Sequence, residues 1–225
     1  MKKFFKKRIT MILVLLLFIP TFTSAKTFNT DYKINTYEND FKQHNLEIKD
    51  VENMLREENI DDAVIKNLIS KLKKGEVWDS LKPEYQYLKP QIDTPNYKKT
   101  TYPDGSVNIV RIKDITPEIS TRAIIEEKNV EISKIYFVVN AYFYMDYKRD
   151  TSRNLALITN QYDINVFCYG SEIHNQSNGY SAAWRKSPYA YVQFQISPKF
   201  GGETGKNCYL RGYASANGHW VDYSY

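Results

Sequence analysis

The sequence predicts an α+β protein that is mainly β: a short N-terminal helical hairpin, then an antiparallel β-sandwich with one disulfide. Three observations carry this. Apolar residues recur at helical spacing only between about Leu46 and Lys74. Beyond residue 97 the period changes to two, and Tyr, Val, Ile and Phe fill the alternating runs. Seven glycines between Gly170 and Gly218 then punctuate those runs as turns. About seven short strands at such spacing is the pattern of a two-sheet antiparallel fold.

The elements follow in chain order. Residues 1–25 place Lys2, Lys3, Lys6, Lys7 and Arg8 before an apolar run, Met11–Ile19, and end in Thr23-Ser24-Ala25. A basic start, a short apolar stretch and small residues predict a signal peptide cleaved after Ala25, hence a secreted, extracellular protein. The run is too short for a spanning helix, so no transmembrane segment is expected after cleavage. Residues 26–76 form a small helical region. KDVENMLREENI and DDAVIKNLISKLKKGE predict two helices, with Asp61 as N-cap and Gly75 just past the lysine-rich C-terminal turn. Val64, Ile65, Leu68, Ile69 and Leu72 form one apolar stripe. Residues 77–96 are a proline-rich connector, because Pro83, Pro90 and Pro95 keep the chain extended. The β domain spans 97–225.

Within that domain Pro103-Asp104-Gly105 predicts a hairpin turn: proline presets φ, aspartate bonds the local backbone, and glycine takes positive φ. EISKIYFVVNAYFYMDY reads as one long central strand, and SEIHNQSNGYS as a loop. YDINVFCYG turns Ile164, Val166 and Cys168 to one side, and PYAYVQFQIS does the same with Ala190, Val192, Phe194 and Ile196. Cys168 and Cys208 both follow the leader, so an oxidising destination predicts a disulfide between them. In the chain-entropy picture that bond stabilises by about 4 kcal/mol.

The tail CYLRGYASANGHWVDYSY carries the functional expectation. Asn217-Gly218 predicts a two-residue type I′ hairpin, which would set Ala216 opposite His219 and Ala214 opposite Val221. One face is then Cys208, Leu210, Ala214, Val221 and Tyr223. The other holds Tyr209, Arg211, Tyr213, Trp220 and Asp222, and a neighbouring YAYVQ strand would add Tyr189, Tyr191 and Gln193. Flat rings stack on the apolar faces of sugars, while arginine, aspartate and amides bond hydroxyls. The same amphipathic rings also suit protein interfaces.

Charge and motifs narrow the field. The chain has 31 basic and 26 acidic residues, but five of the basic ones lie in the leader, so the rest balances. A nucleic-acid partner is not expected of a neutral chain. Only three histidines occur, His44, His174 and His219, and no nucleophile, zinc or phosphate-loop motif accompanies them. The reading is therefore non-enzymatic, with no cofactor and no metal. A hydrolase working through His174 or His219 is the least supported alternative, since His219 and Asp222 point to opposite faces in the predicted register.

GEVWDSLKP (Gly75–Pro83) and YPDGSVNIV (Tyr102–Val110) resemble a family of secreted Gram-positive proteins with no assigned activity. Its members share a leader, a helical pair, a G-E-x-x-D-S-x-x-P stretch, a P-D-G-S hairpin and a β-rich end. The resemblance covers about the middle third of the chain and implies architecture alone, with no catalytic residues to carry over. The aromatic terminal hairpin is also similar in character to secreted β-sandwich bacteriocins of the lactococcin 972 type, which implies a membrane-active effector as the alternative. The leading expectation is a module binding a cell-wall glycan or surface protein through Tyr189, Tyr191, Tyr209, Arg211, Tyr213, Trp220 and Asp222.

Overall fold

The computed structural model describes residues 32–33, 41–114, 123–198 and 206–224. The predicted leader, 1–25, lies outside them. Twelve strands are described: β1 (Tyr32–Lys33), β2 (Phe41–Leu46), β3 (Ile92–Asp93), β4 (Tyr97–Thr101), β5 (Val107–Lys113), β6 (Ile124–Ile135), β7 (Val139–Asp150), β8 (Leu155–Tyr169), β9 (Ser171–Ser181), β10 (Tyr189–Pro198), β11 (Lys206–Ser215) and β12 (Gly218–Ser224). They form a five-stranded sheet, β1-β9-β10-β11-β12, and a seven-stranded sheet, β2-β8-β7-β6-β5-β4-β3. Every pairing is antiparallel except β2 with β8, which run parallel. The expected antiparallel sandwich thus gains one parallel edge.

The main core lies between the sheets. Phe143, Met145, Ile158, Ile164 and Val166 from the seven-stranded sheet pack with Val192, Phe194, Leu210 and Ala214 from the five-stranded one. These are the inward positions of period-two runs, and burying each large apolar side chain contributes about 1.5–3 kcal/mol before chain entropy is charged.

Two helices, α1 (Ile48–Glu57) and α2 (Asp62–Lys73), build a second core with β5. Val51, Leu55, Ile65, Leu68 and Leu72 pack there with Trp78, Val107, Ile109 and Phe137. Asp61 caps α2 by accepting from the Ala63 N–H at 2.8 Å, as its sequence position predicts. Past α2 the Gly75 and Glu76 N–H groups return to the Leu72 and Lys71 carbonyls, the usual αL ending.

The connector is not extended throughout as its prolines predict: it forms short 3₁₀ helices at Asp79–Leu81 and Pro83–Tyr85, and it is fastened down. Trp78 is fully buried, and its indole N–H donates to the Leu68 carbonyl at 3.0 Å. The predicted turn at Pro103–Gly105 joins β4 to β5, with Gly105 at φ 83° and the Gly105 N–H donating to Tyr102 O at 2.9 Å. A Cβ at Gly105 would sit 2.4 Å from Val64 Cγ1, so the turn packs directly on α2. Asp104 is the hub of this joint. Its carboxylate accepts from Lys71 Nζ (2.9 Å), the Asp79 N–H (3.0 Å) and the Ser106 hydroxyl (2.6 Å). Burial works against its charge, but the hydrogen bonds from Ser106, Asp79 and Lys71 outweigh burial and hold it below the usual carboxylate range.

Four further sequence expectations are corrected. The long strand over 131–147 is two strands, β6 and β7, turning at Tyr136–Val138. Phe137 sits there at φ 67°, and Asn140 Oδ1 accepts from the Tyr136 and Phe137 N–H groups at 3.0 and 2.8 Å. An asparagine side chain makes this turn, with no glycine or proline to signal it. The expected loop over 171–181 is strand β9, paired on both sides.

The predicted disulfide does not form: Cys168 and Cys208 are both buried thiols. They stand on β8 and β11, in different sheets, and facing sheets pack about 10 Å apart. A disulfide needs Cα atoms about 4.4–6.8 Å apart. Each thiol packs as a small apolar group in the main core, and burial pushes the Cys168 pKa up to about 12.

The tail hairpin also shifts. Ser215 pairs with Gly218 and Ala214 with His219, so Ala216-Asn217 is the loop. Neither loop residue has positive φ, so the turn is not type I′. Gly218, at φ 138°, opens β12 instead. The partners move by two residues, an even shift that leaves every side chain on its predicted face.

Candidate functional site

The tail's inner face is structural. Tyr223 lies over the buried Lys134, with Nζ 2.9 Å from its ring centroid, and Tyr136 contacts the same ammonium at 4.6 Å. Lys134 is fully buried, and desolvation pushes its pKa well down.

The outer face gathers all seven predicted residues. Tyr189 pairs with Tyr213 and Tyr191 with Arg211 across β10–β11. Tyr213 pairs with Trp220 and Arg211 with Asp222 across β11–β12. A ring ladder crosses the three strands: Tyr191 to Tyr189 at 6.2 Å, Tyr189 to Tyr213 at 5.2 Å, and Tyr213 to Trp220 at 5.0 Å with planes 3° apart. Arg211 lies between the rings of Tyr209 (4.2 Å) and Tyr189 (5.6 Å), and its guanidinium is 3.7 Å from Asp222. The Tyr209 hydroxyl donates to the same carboxylate at 3.4 Å. Burial, then the Asp222 charge, raises the Tyr209 pKa, so the phenol stays a donor at neutral pH.

Trp220 ends this ladder. It is 40% exposed, on β12, the last strand of its sheet. Tyr213 covers one indole face, and among the described residues no further strand lies beyond β12 to cover the other.

Trp220 also borders a cavity of about 380 Å³ that sequence reasoning did not find. Asp114, Glu127, Tyr147, Arg149 and His219 line it. His219 lies on the inward face of β12, its side chain 8% exposed. Its Nδ1 is 2.9 Å from the Tyr147 hydroxyl and its Nε2 is 3.7 Å from Asp114 Oδ1. Burial lowers the His219 pKa against the pull of Asp114 and Glu127, so the imidazole is neutral. Burial, then Glu127, raises the Tyr147 pKa well above that of an ordinary phenol. The Asp114 carboxylate beside Nε2 favours the tautomer with its proton on that nitrogen, and Nδ1 then accepts from the Tyr147 hydroxyl. Beside them Glu127 and Arg149 pair at 2.9 Å.

These residues come from β6, β7, β12 and the chain after β5, so no local spacing betrays them. The one available signal was the even-numbered offset of His219 from Tyr223, which assigns His219 to the inner face.

The other histidines stand apart. His174 is exposed on β9, with Nε2 3.6 Å from Glu172. His44 on β2 stacks on Phe167 at 4.4 Å, and its Nε2 is 2.8 Å from Asn165 Oδ1. Among the described residues no group of His, Cys, Asp and Glu converges as metal ligands do. No helix among them is long and apolar enough to cross a membrane.

No family model and no curated protein matches the chain. Among solved structures, the 2.75 Å crystal structure of hypothetical protein lmo2686 from Listeria monocytogenes EGD-e is similar to it. The two are 16% identical with a TM-score of 0.35, over 57% of this chain and 93% of that one.

Proposed function

We propose that this protein is a secreted, non-enzymatic binding module that holds a cell-wall glycan on the outer face of its five-stranded sheet. One observation carries the reading. Seven residues from two separate sequence segments, Tyr189, Tyr191, Tyr209, Arg211, Tyr213, Trp220 and Asp222, share one outward surface that ends in an open tryptophan. Rings supply stacking area at low entropic cost, and the Arg211–Asp222 pair supplies directional hydrogen bonds to hydroxyls. The leader-like residues 1–25 and the resemblance to secreted Gram-positive proteins support an extracellular site of action.

The test is co-sedimentation of the full chain with purified Gram-positive cell walls. Saturable binding is expected, weakened roughly tenfold or more in the Trp220→Ala, Tyr213→Ala double variant, as for a central aromatic anchor. Unchanged sedimentation of a folded double variant would refute the aromatic face as the site. Dye release from liposomes by the wild type, without wall binding, would favour a membrane-active effector.

A further inference from the structure

The cavity beside Trp220 has the composition of a polyol site. Asp114 and Glu127 are acceptors, Arg149 and His219 Nε2–H are donors, and the indole supplies an apolar wall. Its carboxylates disfavour an anion. Arg149 already balances Glu127 at 2.9 Å, which leaves Asp114 as the one unbalanced charge. Neutral hydroxyls donate and accept at once, so they match a site that mixes both roles at close spacing.

The gap between His219 and Asp114 is specific. At 3.7 Å, Nε2 and Oδ1 are too far apart for a direct hydrogen bond. An oxygen at the apex of that pair can accept from Nε2–H and donate to the carboxylate. Tyr147 fixes the imidazole so that Nε2 faces Asp114. The volume, about 380 Å³, lies at the lower end of ligand pockets, about 300–1,000 Å³. It suits the end of a chain and not its length.

We propose that this cavity is the subsite for a terminal neutral hexopyranose: its hydroxyls bridge Asp114 and His219, and its apolar face rests on Trp220. The inference rests on the glycan-binding reading and deepens it. The ladder of rings then carries the following sugars outward across β11 and β10.

The test is calorimetric titration of the full chain with free glucose, galactose, mannose, N-acetylglucosamine and the β-1,4 disaccharide of N-acetylglucosamine, beside wall co-sedimentation. At least one of these sugars should bind and should compete with walls. Asp114→Asn keeps the shape of a residue at the exposed rim and should weaken that sugar roughly tenfold or more, as for loss of a charged hydrogen-bond partner. His219→Gln should do the same, and a denaturant midpoint checks that each variant folds. If no free sugar binds, or if Asp114→Asn binds as wild type does, the subsite is refuted. In that case Trp220→Ala, Tyr213→Ala still decides the wider reading: lost wall binding leaves the aromatic face standing, and retained wall binding refutes both.

Discussion

Both outward faces of the sandwich carry a ladder of rings, and the two ladders end differently. On the seven-stranded sheet His44 stacks on Phe167, Phe167 on Tyr142 at 5.9 Å, and Tyr144 on Tyr162 at 5.8 Å. Two of its hydroxyls are engaged locally: Tyr144 donates to Glu131 (3.3 Å), and Tyr162 to Asn129 (2.5 Å) and Asp146 (3.2 Å). The helices α1 and α2 cover part of that sheet, over β5 and the β6–β7 turn. On the five-stranded sheet the ladder runs to the sheet's edge, where Trp220 meets a polar cavity. Aromatic residues on a sheet are therefore no marker of a site by themselves, because β-propensity alone places them there. Both ladders reach an edge strand, His44 on β2 and Trp220 on β12, so it is the polar cavity with its unfilled donor–acceptor gap that separates the two faces.

The comparison can be sharpened from the covered face first. Asp104 holds α2, the connector and the β4–β5 turn together. Asp104→Ala should cost about 3 kcal/mol, because Lys71, the Asp79 N–H and both the hydroxyl and N–H of Ser106 lose a shared, largely buried acceptor. Chemical denaturation reads this directly, and sugar binding below the transition should be unchanged.

A smaller effect comes from the open edge. His219 has a folded pKa below its ordinary value of about 6.5, so the unfolded chain binds that proton more tightly. Its contribution to stability is full above about pH 6.5 and is lost as pH falls below it. His219→Gln should remove this part of the pH dependence of the melting temperature. A variant that keeps the same slope through about pH 6.5 would place the titration elsewhere.

The smallest effect is expected at the centre of the exposed ladder. The Arg211–Asp222 pair is long and solvent-accessible, so Asp222→Ala should change stability by less than about 1 kcal/mol. A larger loss in thermal unfolding would mean that the polar pair is part of the fold and not of a binding surface.

Much of this fold could be read from local chemistry. The N-cap at Asp61, the turn at Pro103–Gly105 and the inward sets on β8 and β10 all follow from short-range rules. The tail's two faces survived an error in its turn, since a slip of two residues preserves the pleat. What escaped depends on distant partners. The β6–β7 turn is made by the Asn140 side chain, where the sequence shows only β-formers. The polar run of β9 forms a strand because β10 and β1 flank it. The cysteines looked like a pair until the strand order placed them in different sheets. The cavity unites four separated elements.

The two motifs behind the family resemblance have a plain physical account. The Trp78 indole donates to Leu68 on α2, while the Asp79 and Ser80 N–H groups donate to Asp104 and Ser106, so both stretches serve packing.

Hydrogen exchange with and without solubilised wall glycan tests the central claim most directly, because it reports both faces in one experiment. The account predicts slowed exchange in β10, β11 and β12 and unchanged exchange in β7 and β8. Protection confined to β7 and β8 would contradict it and move the binding face to the other sheet.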